Sequence, residues 1–200
     1  MIENNSEEMK NLVKKVDEYL ISKYLFCNKN WLKEKIEPIK NSRKLEEEIM
    51  KEIINTDINS FIDKERTKNY LNLSTHTNFS TKLYELNKII FMQILGYSNI
   101  AEPIENVNKS SDNLDVLENF ESKYLQSEGE EMKKTEKVLL KFELTEGIDK
   151  YYGFEYESLI DLRNSLNTAS NSKFPKILIG PKTEIRRGIL YMRNNNIKLL

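Results

Sequence analysis

The chain has 200 residues, 32% of them charged and 38% apolar, yet its formal net charge is only -1. That length fits one ordinary domain or two small ones, and the balanced charge gives the molecule as a whole no strong pull on nucleic acid or membrane. One cysteine, Cys27, and one histidine, His76, exclude an internal disulfide and leave too few soft ligands for a zinc site.

Residues 7–26 read as a helix, with Met9, Leu12, Val13, Val16, Leu20 and Tyr24 at three- and four-residue spacing and Ser6 placed to cap it. Asn28 to Asn30 interrupt the pattern. Trp31, Leu32 and Ile36 mark a short second helix that Pro38 ends. Ser42 opens a third, with Leu45, Ile49, Ile53 and Phe61 on one face. Three amphipathic helices with short connections predict a small bundle over residues 1–85. Cys27 follows an apolar stretch and is expected to be a buried structural thiol.

Asn69 to Lys82 is rich in Ser, Thr and Asn and reads as a loop. Lys88 to Ile100 (KIIFMQILGYSNI) reads as a long strand with Gly96 at a bulge. Then the composition shifts. Glu102 to Glu136 holds ten acids against four lysines, too long for a hairpin turn, and loops of that size inside a domain usually carry function or stay unfolded. Within it Leu114, Leu117, Phe120, Tyr124 and Leu125 have helical spacing, which suits folding on a partner as well as lying back on the same domain.

From Val138 the alternation is clean, with Val138, Leu140, Phe142 and Leu144 on one face. Glu146-Gly147 makes the turn. The next strand sets Tyr152, Phe154 and Tyr156 on one face, expected to be the barrel core; a surface for stacking bases would need them outside. A loop or short helix follows, then Ile177 to Ile179, Glu184 to Arg187, and a last segment from Gly188 to Leu200. Five strands after a helical region, with a helix or loop before the fourth, predict an α+β chain: a bundle packed on a five-stranded OB-fold barrel over residues 86–200, with an insertion at about 102–134 between strands 1 and 2.

No enzyme chemistry is legible. Phosphate-cradling loops of the GxxxxGK[ST] or GxGxxG type are absent, nothing near His76 suggests an activated nucleophile, and the acidic Glu46-Glu47-Glu48 reads as a solvated helix face. No cofactor is expected. The N-terminus (MIENNSEEMK) is wrong for a secretory signal, and no run approaches the roughly 18 apolar residues of a membrane span. The end of the chain is basic: seven Lys or Arg against one acid from Lys173 to Leu200. Lys182, Arg186, Arg187 and Arg193 are the candidate nucleic-acid contacts there.

Four ordered elements resemble one family: Leu144-Thr145-Glu146-Gly147, Gly153-Phe154-Glu155-Tyr156, Lys176 to Ile179, and Arg186-Arg187-Gly188-Ile189-Leu190. Together with Trp31-Leu32 and Ile54-Asn55-Thr56-Asp57, where Asn55 replaces an apolar residue, they make the chain similar to the RecQ-mediated genome instability protein 1 family. The resemblance implies a non-catalytic nuclear scaffold that partners topoisomerase III and a RecQ-type helicase in double Holliday junction dissolution, meeting DNA mainly through the complex. It implies that Thr56, Asp57 and Lys176 support partner binding, and that the insertion reaches the topoisomerase's DNA gate. Two other readings stay open: a single-stranded nucleic-acid-binding OB protein, and the helical-OB module of a Tudor-domain-3-like topoisomerase partner.

Overall fold

The computed structural model describes residues 2–71, 82–101, 138–168 and 175–200. The helical part comprises α1 (Ile2–Ser22), α2 (Lys29–Ile36), α3 (Leu45–Asn55), α4 (Ile58–Phe61) and α5 (Lys64–Leu71). Five helices thus stand where three were expected. Thr56 leaves α3 in extended backbone (φ -107°, ψ 143°), and the Asp57 carboxylate starts α4 by accepting the Asn59 N–H at 2.8 Å. Phe61 therefore belongs to α4. Helix α5 buries a single side chain, Thr67, so no apolar stripe betrays it. Ser42 does not cap α3: Lys44 occupies that position without a side-chain bond, while the Ser42 hydroxyl donates to Glu48 at 2.7 Å. Helix α1 begins ahead of Ser6.

The helices close around Val16, Leu20, Leu32, Ile36, Ile49, Ile53 and Phe61. Arg66 forks onto Asp17 at 3.0 and 3.1 Å, tying α5 to α1. Cys27 lies fully inside, and burial pushes its thiol far above the ordinary range, which makes it an inert structural residue.

The sheet contains β1 (Tyr84–Glu85), β2 (Ile90–Asn99), β3 (Leu140–Thr145), β4 (Lys150–Glu155), β5 (Lys176–Ile179), β6 (Glu184–Arg186), β7 (Ile189–Met192) and β8 (Ile197–Leu199), with α6 (Ile160–Thr168) between β4 and β5. The order is β1-β6-β7-β4-β3-β2-β5-β8. Strands β2, β3 and β4 form an antiparallel meander, and β4 runs parallel to β7. Strand β5 pairs with β2 while β6 pairs with β7, although only residues 180–183 lie between β5 and β6. One interrupted strand thus serves both sides of the seam, and the sheet curls onto itself. The expected five strands become eight segments because the fourth is broken at Gly180-Pro181 and the short β1 and β8 add to the edges.

Residues Ile90 to Ile94 are buried on both faces of β2. Ile90 and Met92 enter the barrel core, while Phe91 turns to the helices and meets Phe61 edge-on at 6.5 Å. That double burial explains the unbroken apolar run. The register slips between Ile94 and Gly96, where a bulge was expected.

Strand β4 runs in the opposite phase from that expected. Tyr151, Gly153 and Glu155 point inward, while Tyr152 and Tyr156 are exposed and Phe154 half-buried. A side chain at Gly153 would collide with the Met192 sulfur, so glycine fills the tightest inward position. Glu155 is buried, accepts the Leu140 N–H at 3.0 Å and the Leu159 N–H at 2.6 Å, and pairs with Arg163.

Candidate functional site

Two of the sequence elements and the Thr56-Asp57 stretch converge on one seam. Across the sheet, Lys176 lies beside Gln93, Gln93 beside Thr145, and Thr145 beside Lys150. From this row Gln93 reaches into the helical layer. Its amide oxygen accepts the Ile58 N–H at 2.8 Å, and its nitrogen donates to Asp57 Oδ2 at 3.3 Å. The other Asp57 oxygen takes both Asn59 donors, at 2.8 and 2.9 Å. The adjacent hairpin turn closes through Thr145 Oγ1, which accepts the Gly147 N–H at 2.9 Å and donates to the Asp149 carbonyl at 2.8 Å. Glu146 lies buried in the turn and accepts from the Tyr151 hydroxyl at 2.8 Å.

Lys176 has no exposed surface, and Thr56 and Asp57 are half-buried. Burial works against the ammonium and pushes Lys176 down to about 8, with the Asp57 carboxylate opposing that shift. Burial alone would raise Asp57. Hydrogen bonds from the Asn59 backbone, Gln93 and the Asn59 side chain, with the charge of Lys176, outweigh it and hold the carboxyl below its ordinary value. The sign for stability follows. A lysine depressed in the folded state binds fewer protons there than in the unfolded chain, so the contribution of Lys176 to stability is least favourable below about pH 8 and improves as pH climbs from about 8 towards 10.5. The rise should reach at most about 3 kcal/mol. Urea unfolding between pH 7 and 10.5 checks this, and Lys176→Met should flatten the curve.

Asn55, the residue that departs from the family pattern, is exposed at the end of α3 and donates to the Lys51 carbonyl of its own helix at 2.9 Å. A polar side chain is therefore accommodated there without disturbing the seam.

The four basic candidates do not form one patch. Lys182 sits in the link between β5 and β6, its N–H donating to the Leu86 carbonyl at 2.7 Å. Arg187 lies beyond the other end of β6, in a two-residue turn where both it (φ 50°) and Gly188 (φ 82°) take positive φ, the pattern of a type I′ hairpin. Arg186 and Arg193 both grip Glu184, and Arg193 also meets Glu157 at 3.7 Å. Arg186 and Arg193 thus group around Tyr191 and Tyr156, and Arg187 stands apart in its turn. Leu114, Leu117, Phe120, Tyr124 and Leu125 lie outside the described residues, as does His76. Periodicity had no hold on Gln93, Glu155 or Arg163. The one available signal was Gln93 itself, a lone amide in the apolar run KIIFMQIL, since a buried amide needs partners.

The first hairpin is sealed at its open end. Asn99 pairs with Leu140, the Ile100 N–H reaches the Leu139 carbonyl at 2.9 Å, and Asn99 Oδ1 accepts the N–H of both Ala101 and Leu139 at 3.1 Å. Two residues 40 positions apart are thereby neighbours.

Residues 37–200 match the family described as RMI1, N-terminal OB-fold domain. The chain belongs to this family. Its curled mixed sheet is therefore an OB-fold, with β2, β3 and β4 as the meander, β5 and β6 as the broken fourth strand and β7 as the fifth. Of the elements read from the sequence, Leu144 to Gly147 and Arg186 to Leu190 span the β3–β4 and β6–β7 turns, Lys176 lies in the seam, Gly153 to Glu155 run along β4, and Trp31-Leu32 lies in α2. A search among curated proteins finds no match.

Proposed function

We propose that the chain is a non-catalytic nuclear scaffold of a RecQ helicase–topoisomerase III complex, which holds the topoisomerase and tunes its DNA gate during double Holliday junction dissolution. The observation that carries this reading is the sealed hairpin of a family member. Residues 102–137 leave and re-enter an OB-fold at one point, between strands paired up to their last residues. Long segments presented from a rigid scaffold usually carry function. A segment that binds one gate conformation better than another shifts the enzyme's equilibrium by that difference alone, and about 1.4 kcal/mol gives a tenfold bias. No catalytic residue is needed for such a role. The rigid seam of Thr56, Asp57, Gln93 and Lys176 would hold the helical layer and barrel in one orientation for the partner.

Co-purification with the cognate topoisomerase III tests this. The intact chain should bind. A variant lacking residues 107–129 should keep its thermal stability and change the rate of DNA relaxation or decatenation. Absence of binding by the intact chain sinks the reading. Lys176→Met adds a second arm: lost affinity without lost stability would mean that the buried Lys176 supports partner binding through the seam it helps to build.

A further inference from the structure

We propose that the groove between α1 and α2 is a docking site for an acidic amphipathic helix of a protein partner. Met9, Leu12 and Val13 form its apolar floor, and Lys10, Lys29 and Lys33 its basic rim. The groove has a volume of about 670 Å³ and follows α1 from Glu8 to Asp17, with Lys29 to Lys40 along its other side. It lies apart from the seam and the barrel, and most of its lining precedes residue 37, where the family match begins. Its origin is local. Val16 and Leu20, further along the α1 stripe, are wholly enclosed, whereas Leu12 and Val13 on the same stripe are only half-buried.

Charge and shape point to this occupant. Five lysines and three acids line the groove. Two of the acids are already matched: Arg66 forks onto Asp17, and Lys40 meets Glu37 at 3.2 Å. Lys14 meets Glu18 only at 4.0 Å, between two exposed side chains, where such a pair is worth little. Lys10, Lys29 and Lys33 are exposed and form no ion pair among the described residues, which leaves Glu8 as the one unmatched acid there. Lys29 also opens α2, where the helix dipole favours an anion and no acid stands in the first turn. Glu8 to Asp17 cover about 13 Å of helix axis, the length of about two and a half turns. A partner helix with apolar residues at i, i+4 and i+7 would lay that row on the floor and turn its flanking acids to the lysines. A nucleic acid fits poorly: among the described residues no aromatic ring lines the groove for a base to stack on.

Methyl NMR of the full chain with a synthetic helical peptide tests the proposal. The peptide carries leucines at i, i+4 and i+7 with glutamates beside them. At a concentration on the order of 1 mM it should shift the methyl signals of Met9, Leu12 and Val13. The Lys29→Glu/Lys33→Glu double variant, changed only at exposed side chains, should bind it about tenfold more weakly. A second peptide, with lysines in place of the glutamates, should prefer that variant to the wild type, a reversal that a purely structural role for the two lysines would not produce. Glutamines in place of the leucines should abolish binding. No shift at the three methyls overturns the proposal. So does equal binding of the glutamine peptide or of an oligothymidylate in the groove, which would make the lysines a general anion patch. Binding only after residues 107–129 are removed would mean that the chain's own insertion fills the groove, and overturns it too.

Discussion

Glu155→Ala should lower stability by about 3–5 kcal/mol, the cost of removing one member of a buried ion pair. The carboxylate serves three groups at once. It accepts the N–H at the start of β3, accepts the N–H just before α6, and holds Arg163. Alanine would strand both N–H groups and leave Arg163 with its bond to the Val138 carbonyl but no carboxylate, in a site where Glu155 keeps only 4% of its surface. Because those groups belong to different elements, the loss should detach α6 from the barrel and lower the thermal midpoint by roughly 10 °C. Glu155→Gln retains an acceptor but loses the charge, and should fall between wild type and Glu155→Ala. Thermal melts followed by circular dichroism check the series; a wild-type melt for Glu155→Ala would mean that the buried pair contributes nothing net.

The second large effect is expected at Gly147. Its φ of +94° lies where a side chain is strained, and a Cβ there would stand 2.7 Å from Ile62 Cγ2 and 3.3 Å from Ile62 Cβ. Gly147→Ala combines a positive-φ penalty with overpacking, together about 3 kcal/mol. The clash lies where the β3–β4 turn meets the helical layer, so the variant should loosen the contact between the two halves. Ile62→Ala in the same chain relieves the collision but not the backbone strain. The double variant should therefore be less unstable than the sum of the two singles. Strict additivity in urea unfolding would show that the steric argument is wrong.

Where one face of an element is buried and apolar, the sequence revealed it. The β3 alternation of Leu140, Phe142 and Leu144, the helical stripe of Leu45, Ile49 and Ile53, and the bulge before Gly96 all fall where the pattern puts them. Strand β4 reads in the wrong phase for a physical reason. Beside Tyr151, its inward positions hold a glycine packed against Met192 and a glutamate that pairs with Arg163, while Tyr152 and Phe154, and Tyr156 just beyond the strand, lie on the outer side. Hydrophobicity alone then points to the wrong face. Lys176 was equally opaque: a lysine reads as surface until the strand register places it between buried neighbours. The short α4 owes its existence to the Asp57 side chain rather than to any periodicity.

The way Asn99 fastens the base of the first hairpin bears on how such a protein can change over time. Its Oδ1 binds both chain ends, so the barrel's integrity does not depend on what is spliced in beyond residue 101. For a flexible splice, doubling the length costs only about 0.6 kcal/mol of closure entropy. The barrel then behaves as a socket into which inserts of different length and composition fit, and whatever an insert recognises is free to drift without the fold drifting with it.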